Sequence, residues 1–170
     1  LRKDLKSNYL PIIAEDLGVI TKDVELLRDN YKLPGMKILQ FAFDGNESNP
    51  YLPKNIHNEN WVVYTGTHDN ATSTSWWDYL DNHIKNHIKD NYDFSNDPSW
   101  NLIEIGMKTK ANLFITPIQD ILSLDNSSRL NTPGTVTKNW RWKLNKTLDE
   151  IDLNLQKYSE LGNSYGRINK

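Results

Sequence analysis

Three polar clusters follow apolar runs in this chain: Glu15-Asp16 after Pro11–Ala14, His68-Asp69-Asn70 in the run that begins at Trp61, and Gln119-Asp120 at the end of 111–120. A carboxylate or imidazole at the C-terminal end of a buried strand sits where parallel α/β sheets do their chemistry. It can give or take a proton there. Acids after strands also serve as helix caps, but the residue placed to cap the next helix is Thr21, which leaves Glu15 without that task. A His-Asp pair alone is as compatible with a structural histidine as with a site. His83 and His87 stand four residues apart, without the partnered Glu of a zinc protease, and read as a helix face. There is no cysteine for a thiolate nucleophile or zinc site, no glycine-rich phosphate loop and no serine in a nucleophile elbow. No cofactor and no metal are implied. Trp77 falls at helical spacing and reads as core, whereas Trp140 and Trp142 suit either a sugar platform or a core.

The elements that must position these residues follow from periodicity and turn chemistry. Pro11–Ala14 reads as a buried strand, and "TKDVELLRDNY" as a helix capped by Thr21 with Val24, Leu27 and Tyr31 on one face. A second buried strand runs through 33–43, and 44–60 is a long surface loop rich in Asn, Pro and Gly. A third strand over 61–69 precedes one helix through "SWWDYLDNHIKNHI". Asp97 and Pro98 open a further helix to about Lys110 as N-cap and first-turn proline. The fourth strand spans 111–120 and leads to a short "ILSL" helix. Thr147 with Glu150 then makes a capping box for a last helix. Four buried strands alternating mostly with helices predict a parallel α/β sheet.

Composition narrows the partners. The 170 residues suit one domain with a real core, and the 20 basic and 22 acidic side chains are interspersed, giving a net charge of -2. No basic stripe is available for nucleic acid. No apolar run approaches the ~20 residues of a membrane span, and the opening "LRKDLKSNYL" lacks the apolar stretch of a signal peptide. Absence of cysteine is compatible with a reducing compartment. The chain begins with Leu1, and "LRKDLKSN" reads as the end of a helix, which predicts a cut upstream of Pro11.

Taken together, "PIIAEDLGVIT", "LPGMKILQFAF", "YTGTHDNATS", "ITPIQDILSL", "RLNTPGT" and "NWRWKL" are far more specific than any one cluster. In this order and spacing they resemble the amylomaltases, or disproportionating enzymes, which are 4-alpha-glucanotransferases of the alpha-amylase-like clan. The resemblance implies a (β/α)8 TIM barrel of which this chain holds strands five to eight. Residues 1–170 would then be one partial catalytic domain whose N-terminal half, with the nucleophilic Asp of strand four, lies upstream. It assigns Glu15 as general acid/base and Asp69 as the third carboxylate, and gives His68 and Asp69 the donor sugar's 2- and 3-hydroxyls. An apolar wall from "IIA", with Asp69 nearby, would help keep Glu15 protonated. Asp16, Phe41, Asp44 and Asn131 match positions that line glucan subsites, with the 131–135 loop over the groove.

The implied reaction moves alpha-1,4-glucan segments onto glucose or maltooligosaccharide acceptors by retaining double displacement, and the chain by itself should not catalyse it. The partners are therefore maltooligosaccharides and alpha-1,4-glucans, with no nucleic acid, membrane or metal. Two other readings are a related alpha-amylase-like hydrolase, in which water replaces the acceptor, and a noncatalytic carbohydrate-binding module that uses the aromatic pairs. "NTPGT" with "NWRWKL" favours the transferase. The family works in bacterial cytoplasm or plastid stroma.

Overall fold

A computed structural model describes residues 10–167. The helix end predicted over 1–8 lies outside them. Among the described residues three parallel strands form one sheet in the order β1 (Gly35–Ile38), β2 (Trp61–Tyr64), β3 (Leu113–Ile115). Gly35 stands opposite Trp61, Ile38 opposite Tyr64, and Tyr64 opposite Ile115. Since side chains alternate along a strand, this register puts Met36, Ile38, Val62, Tyr64, Leu113 and Ile115 on one face, and Lys37, Val63 and Phe114 on the other.

Helices cover the second face. α1 is Lys22–Asn30, α2 Ser73–Tyr79, α3 Asn82–Asn91, α4 Pro98–Lys108, α5 Ile118–Ile121 and α6 Leu148–Ser164. α4 begins as its sequence dictates, with Pro98 in the first turn and the Asp97 side chain accepting from the Trp100 amide at 3.2 Å. It buries Trp100, Leu102, Ile103 and Met107. Gly106 on α4 leaves a hollow for the Phe114 ring, which would lie only 2.1 Å from an added Cβ. α6 opens on the capping box: Thr147 N donates to Glu150 Oε2 at 2.7 Å, and Glu150 N to Thr147 Oγ1 at 3.4 Å. Ile151 is buried, and Tyr158 and Leu161 pack against Trp100, Ile103 and Met107.

The single helix expected through 75–88 is two. Thr72 caps α2 by accepting from Ser75 N, and Leu80 and Asp81 are extended before α3 begins. The break re-aims the apolar stripe, so that Ile88 is fully buried in a cluster with Val63 and Leu102 while Trp77 and Leu80 close its side. α1 has Thr21 extended at its N-cap as expected, but buries none of its own residues. The 44–60 loop is irregular apart from a turn at Pro53–Asn55, and Leu52 and Ile56 pin it to the core.

Other expectations need correction. Pro11–Ala14 is not a strand: one backbone bond joins Ala14 N to Pro34 O at 2.8 Å, Pro11 has no N–H to offer, and Ile12 and Ile13 stay exposed. The second strand stops at Ile38, where the chain tightens into a turn at Leu39–Phe41, and β2 stops at Tyr64. Gln119 and Asp120 do not end a strand; β3 stops at Ile115, and both residues belong to α5. That helix precedes most of the "ILSL" segment, because its N-cap is Pro117, which lacks a backbone N–H. No helix among the described residues is long and apolar enough to cross a membrane.

Candidate active site

The turn between β2 and α2, residues 65–72, carries His68 and Asp69. Several elements hold it. Thr67 N and Oγ1 both donate to Asn70 Oδ1, at 2.9 and 2.8 Å, which folds the turn on itself. Gln40 Nε2, just past β1, donates to Ala71 O at 3.0 Å, and an added Cβ on Gly66 would meet that nitrogen at 2.7 Å. Asn126 Oδ1 accepts from Thr72 N at 3.1 Å.

Asp120 anchors the two ends of the turn. Its Oδ2 accepts from Thr65 Oγ1 at 2.5 Å and from Ser73 Oγ at 2.8 Å, and its Oδ1 accepts from Ser73 N at 2.8 Å. It is only 1% exposed. Burial pushes its carboxyl above the ordinary aspartate value, and the three donors offset part of that rise. Sequence reasoning put Asp120 on the functional rim; here it is a buried clamp beneath that rim. Asp97 has a similar task elsewhere, accepting from Trp100 N and Ser123 Oγ, so nothing in the residue type alone marks the role.

From this platform Asp69 meets Asn131, His68 and Arg129. Its Oδ1 accepts from Asn131 Nδ2 at 2.5 Å and lies 3.3 Å from His68 Nε2. Its backbone carbonyl accepts from Arg129 Nη2 at 2.6 Å. Among the described residues nothing donates to Oδ2. The His68 ring packs against exposed Trp140, with centroids 4.9 Å apart.

Glu15, His68 and Asp69 line one cleft of about 290 Å³, with Leu17, Met36, Tyr64 and Ile115 as its apolar wall. It opens at the C-terminal strand ends on the face without helices. Burial pushes the Tyr64 phenol up, so it stays neutral. Glu15 is exposed, and its wall is not "IIA": Ile12 and Ile13 do not line the cleft. A second cavity of about 270 Å³ shares Thr67, His68 and Pro117 with the first and continues to Asp120 and Arg129. A larger cavity, about 910 Å³, lies at the opposite end of the strands around Arg28, Pro34 and Trp61, away from the expected chemistry.

The remaining expected site residues lie elsewhere or only near. Asp16 does not line the cleft. Its Oδ1 accepts from Met36 N at 2.7 Å and its Oδ2 from Arg28 at 2.5 Å, which ties α1 to β1. Phe41 is 45% exposed and meets Tyr51 edge-on at 5.6 Å. Asp44 is exposed; its Oδ1 accepts from Asn46 N at 2.9 Å, and this bond chiefly holds its carboxyl below the ordinary value. Sequence reasoning missed Arg129, Gln40, Met36 and Tyr64 as parts of the site. The signal for Arg129 was its place two residues before Asn131 in "RLNTPGT". Among the described residues no cluster of three or more His, Asp or Glu could hold a metal ion.

Residues 1–149 match the family model described as 4-alpha-glucanotransferase. The chain belongs to the 4-alpha-glucanotransferase family. It is 44% identical over 163 residues to the chloroplastic/amyloplastic 4-alpha-glucanotransferase of Arabidopsis thaliana, a match that covers 94% of this chain and 28% of that protein. It is 47% identical over 146 residues to the 4-alpha-glucanotransferase of Synechocystis, covering 84% of this chain and 28% of that protein. Among solved structures it superposes on the amylomaltase of Streptococcus agalactiae, solved in complex with acarbose, with a TM-score of 0.90 and 32% identity over 99% of this chain and 34% of the other. The chain thus spans about 28% of the length of these curated 4-alpha-glucanotransferases. They come from both a bacterium and a plastid.

Proposed function

We propose that the whole protein is a 4-alpha-glucanotransferase that moves alpha-1,4-glucan segments onto glucose or maltooligosaccharides, and that these 170 residues supply half of its active site. The observation that carries this reading is the convergence of Glu15, His68 and Asp69 on one cleft at the strands' C-terminal ends, in a chain of this family. In this reading the three strands and the Pro11–Ala14 edge are strands five to eight of a (β/α)8 barrel, with the N-terminal half contributed by sequence outside this chain. Its location would be bacterial cytoplasm or plastid stroma.

The residues then have distinct tasks. A nucleophilic Asp on a strand outside this chain attacks C1 of the donor sugar, while Glu15 protonates the departing glycosidic oxygen. The bond that forms is a glycosyl ester. In the second half, the Glu15 carboxylate takes the proton from the acceptor's 4-hydroxyl, whose oxygen attacks C1 and releases the enzyme carboxylate. Asp69 Oδ2 and His68 hold ring hydroxyls of the donor. Since these contacts strengthen as the ring flattens, Asp69 acts on rate more than on binding. Phe41 and Asp44 line more distant glucan subsites and Asn131 lines the groove beside Asp69, whereas Asp16 supports the site through β1 from outside the cleft. The acarbose held by the Streptococcus agalactiae amylomaltase supports a glucan-like ligand here.

The test is the full-length protein incubated with maltotriose. Transfer yields glucose and longer maltooligosaccharides with retained alpha configuration. Glucose and maltose alone, without longer products, would make the protein a hydrolase and overturn the assignment.

A further inference from the structure

We infer that Arg129 is a positioning residue for Asp69, acting as a two-pronged clip that fastens segment 129–131 to the catalytic turn. Its guanidinium donates from Nη2 to Asp69 O at 2.6 Å and from Nε to Asn131 O at 2.8 Å. Two further bonds lie between those prongs: Asn131 N to His68 O at 3.1 Å, and Asn131 Nδ2 to Asp69 Oδ1 at 2.5 Å. Segment 129–131 therefore lies along 68–69 like a fragment of strand. The outer side of the segment is held too, because Trp140 N donates to Leu130 O at 2.7 Å from a left-handed backbone with φ 59° that a bulky side chain rarely adopts.

The clip requires arginine. A planar guanidinium presents several donors in fixed directions, whereas a lysine ammonium is a compact charge on a flexible stem. Arg129 forms no ion pair among the described residues; its guanidinium donates to two backbone carbonyls at the site. Without it, Asn131 is freed from below, and the Asp69 carboxylate loses the amide that fixes Oδ1. Oδ2 would then wander from the position at which it meets a sugar hydroxyl. The inference rests on the glucanotransferase reading for its effect on rate, but the clip itself does not.

The experiment uses the full-length protein with Arg129→Lys and Arg129→Ala, and reads three quantities. Amide hydrogen exchange at Asn131 reports the clip without reference to activity, and should accelerate at least about tenfold in both variants. In maltotriose disproportionation kcat should fall at least about tenfold, with KM within about threefold of wild type, because an interaction that matters most in the transition state has been loosened. Millimolar guanidinium should restore part of the lost kcat to Arg129→Ala and none to Arg129→Lys, a result that a general loss of folding does not give. Wild-type exchange at Asn131 in both variants overturns the clip whatever the activity does. Accelerated exchange with unchanged kcat overturns the positioning role. If the wild type disproportionates no maltotriose, the glucanotransferase reading and the positioning role fail together, while the exchange data still decide whether the clip exists.

Discussion

Replacing Asp120 should loosen the 65–72 turn from beneath, in a way that separates its hydrogen bonds from its charge. Asp120→Ala removes the acceptor of three buried donors: Ser73 N–H, Ser73 O–H and Thr65 O–H. The Thr65 hydroxyl can turn to Thr116 Oγ1, 3.1 Å away, so two donors are stranded. At about 1–3 kcal/mol each, the loss is roughly 2–6 kcal/mol. Even about 2 kcal/mol corresponds to roughly 30-fold faster amide exchange at Ser73. Asp120→Asn keeps the oxygen that faces Ser73 N and places an amide beside two hydroxyls that can rotate to accept, and should cost less than about 1 kcal/mol. The charge enters through pH. Because burial raises the carboxyl of Asp120 above its ordinary 3.8, the folded state holds this proton to higher pH than the unfolded chain. The stability this gives is fully present below the ordinary value and is lost as pH rises through the folded value. Wild type should therefore lose stability relative to Asp120→Asn across that window. The assay is Ser73 exchange and thermal melting of the full-length protein from acid to neutral pH. Equal damage from Ala and Asn, or a wild-type advantage that grows with pH, would refute the reasoning.

Arg28→Ala strips the partner from Asp16, whose side chain is 6% exposed, and should destabilise by about 3 kcal/mol because only the Met36 amide then faces the charge; Arg28→Ala with Asp16→Asn should recover part of the lost melting temperature. Gly106→Ala drives a methyl into the Phe114 ring and should cost about 1–3 kcal/mol in thermal melting, and Phe114→Leu in the same chain should relieve some of it. Thr147→Ala removes the capping box of α6 and should cost about 1 kcal/mol without altering maltotriose turnover.

Local signals carried the helix starts. Asp97-Pro98 and Thr147 with Glu150 open helices where their chemistry predicts, since a cap and its partner lie within one turn of chain. The apolar runs gave three strands correctly in kind but too long, because a run of buried residues continues past the last ladder bond into the turns at Leu39–Phe41 and 65–72. Pro11–Ala14 failed for a related reason: apolar composition does not state whether a neighbour is present to pair with. At the site, the polar clusters did not show which acid faces the cleft. Glu15 and Asp16 are adjacent, yet one lines the cleft and the other is claimed by Arg28, twelve residues on. Asp120 and Arg129 are tied to partners 47 and 60 residues away, and no local pattern encodes such pairings.

The proposed role of Glu15 as general acid/base of a retaining glucan transfer is tested most directly by steady-state disproportionation of maltotriose with the full-length protein and its Glu15→Gln variant. The wild type should make glucose and longer maltooligosaccharides. Glu15→Gln should lower kcat at least ~10²-fold, the lower end of what a positioned acid/base contributes. Near wild-type turnover by Glu15→Gln would contradict it.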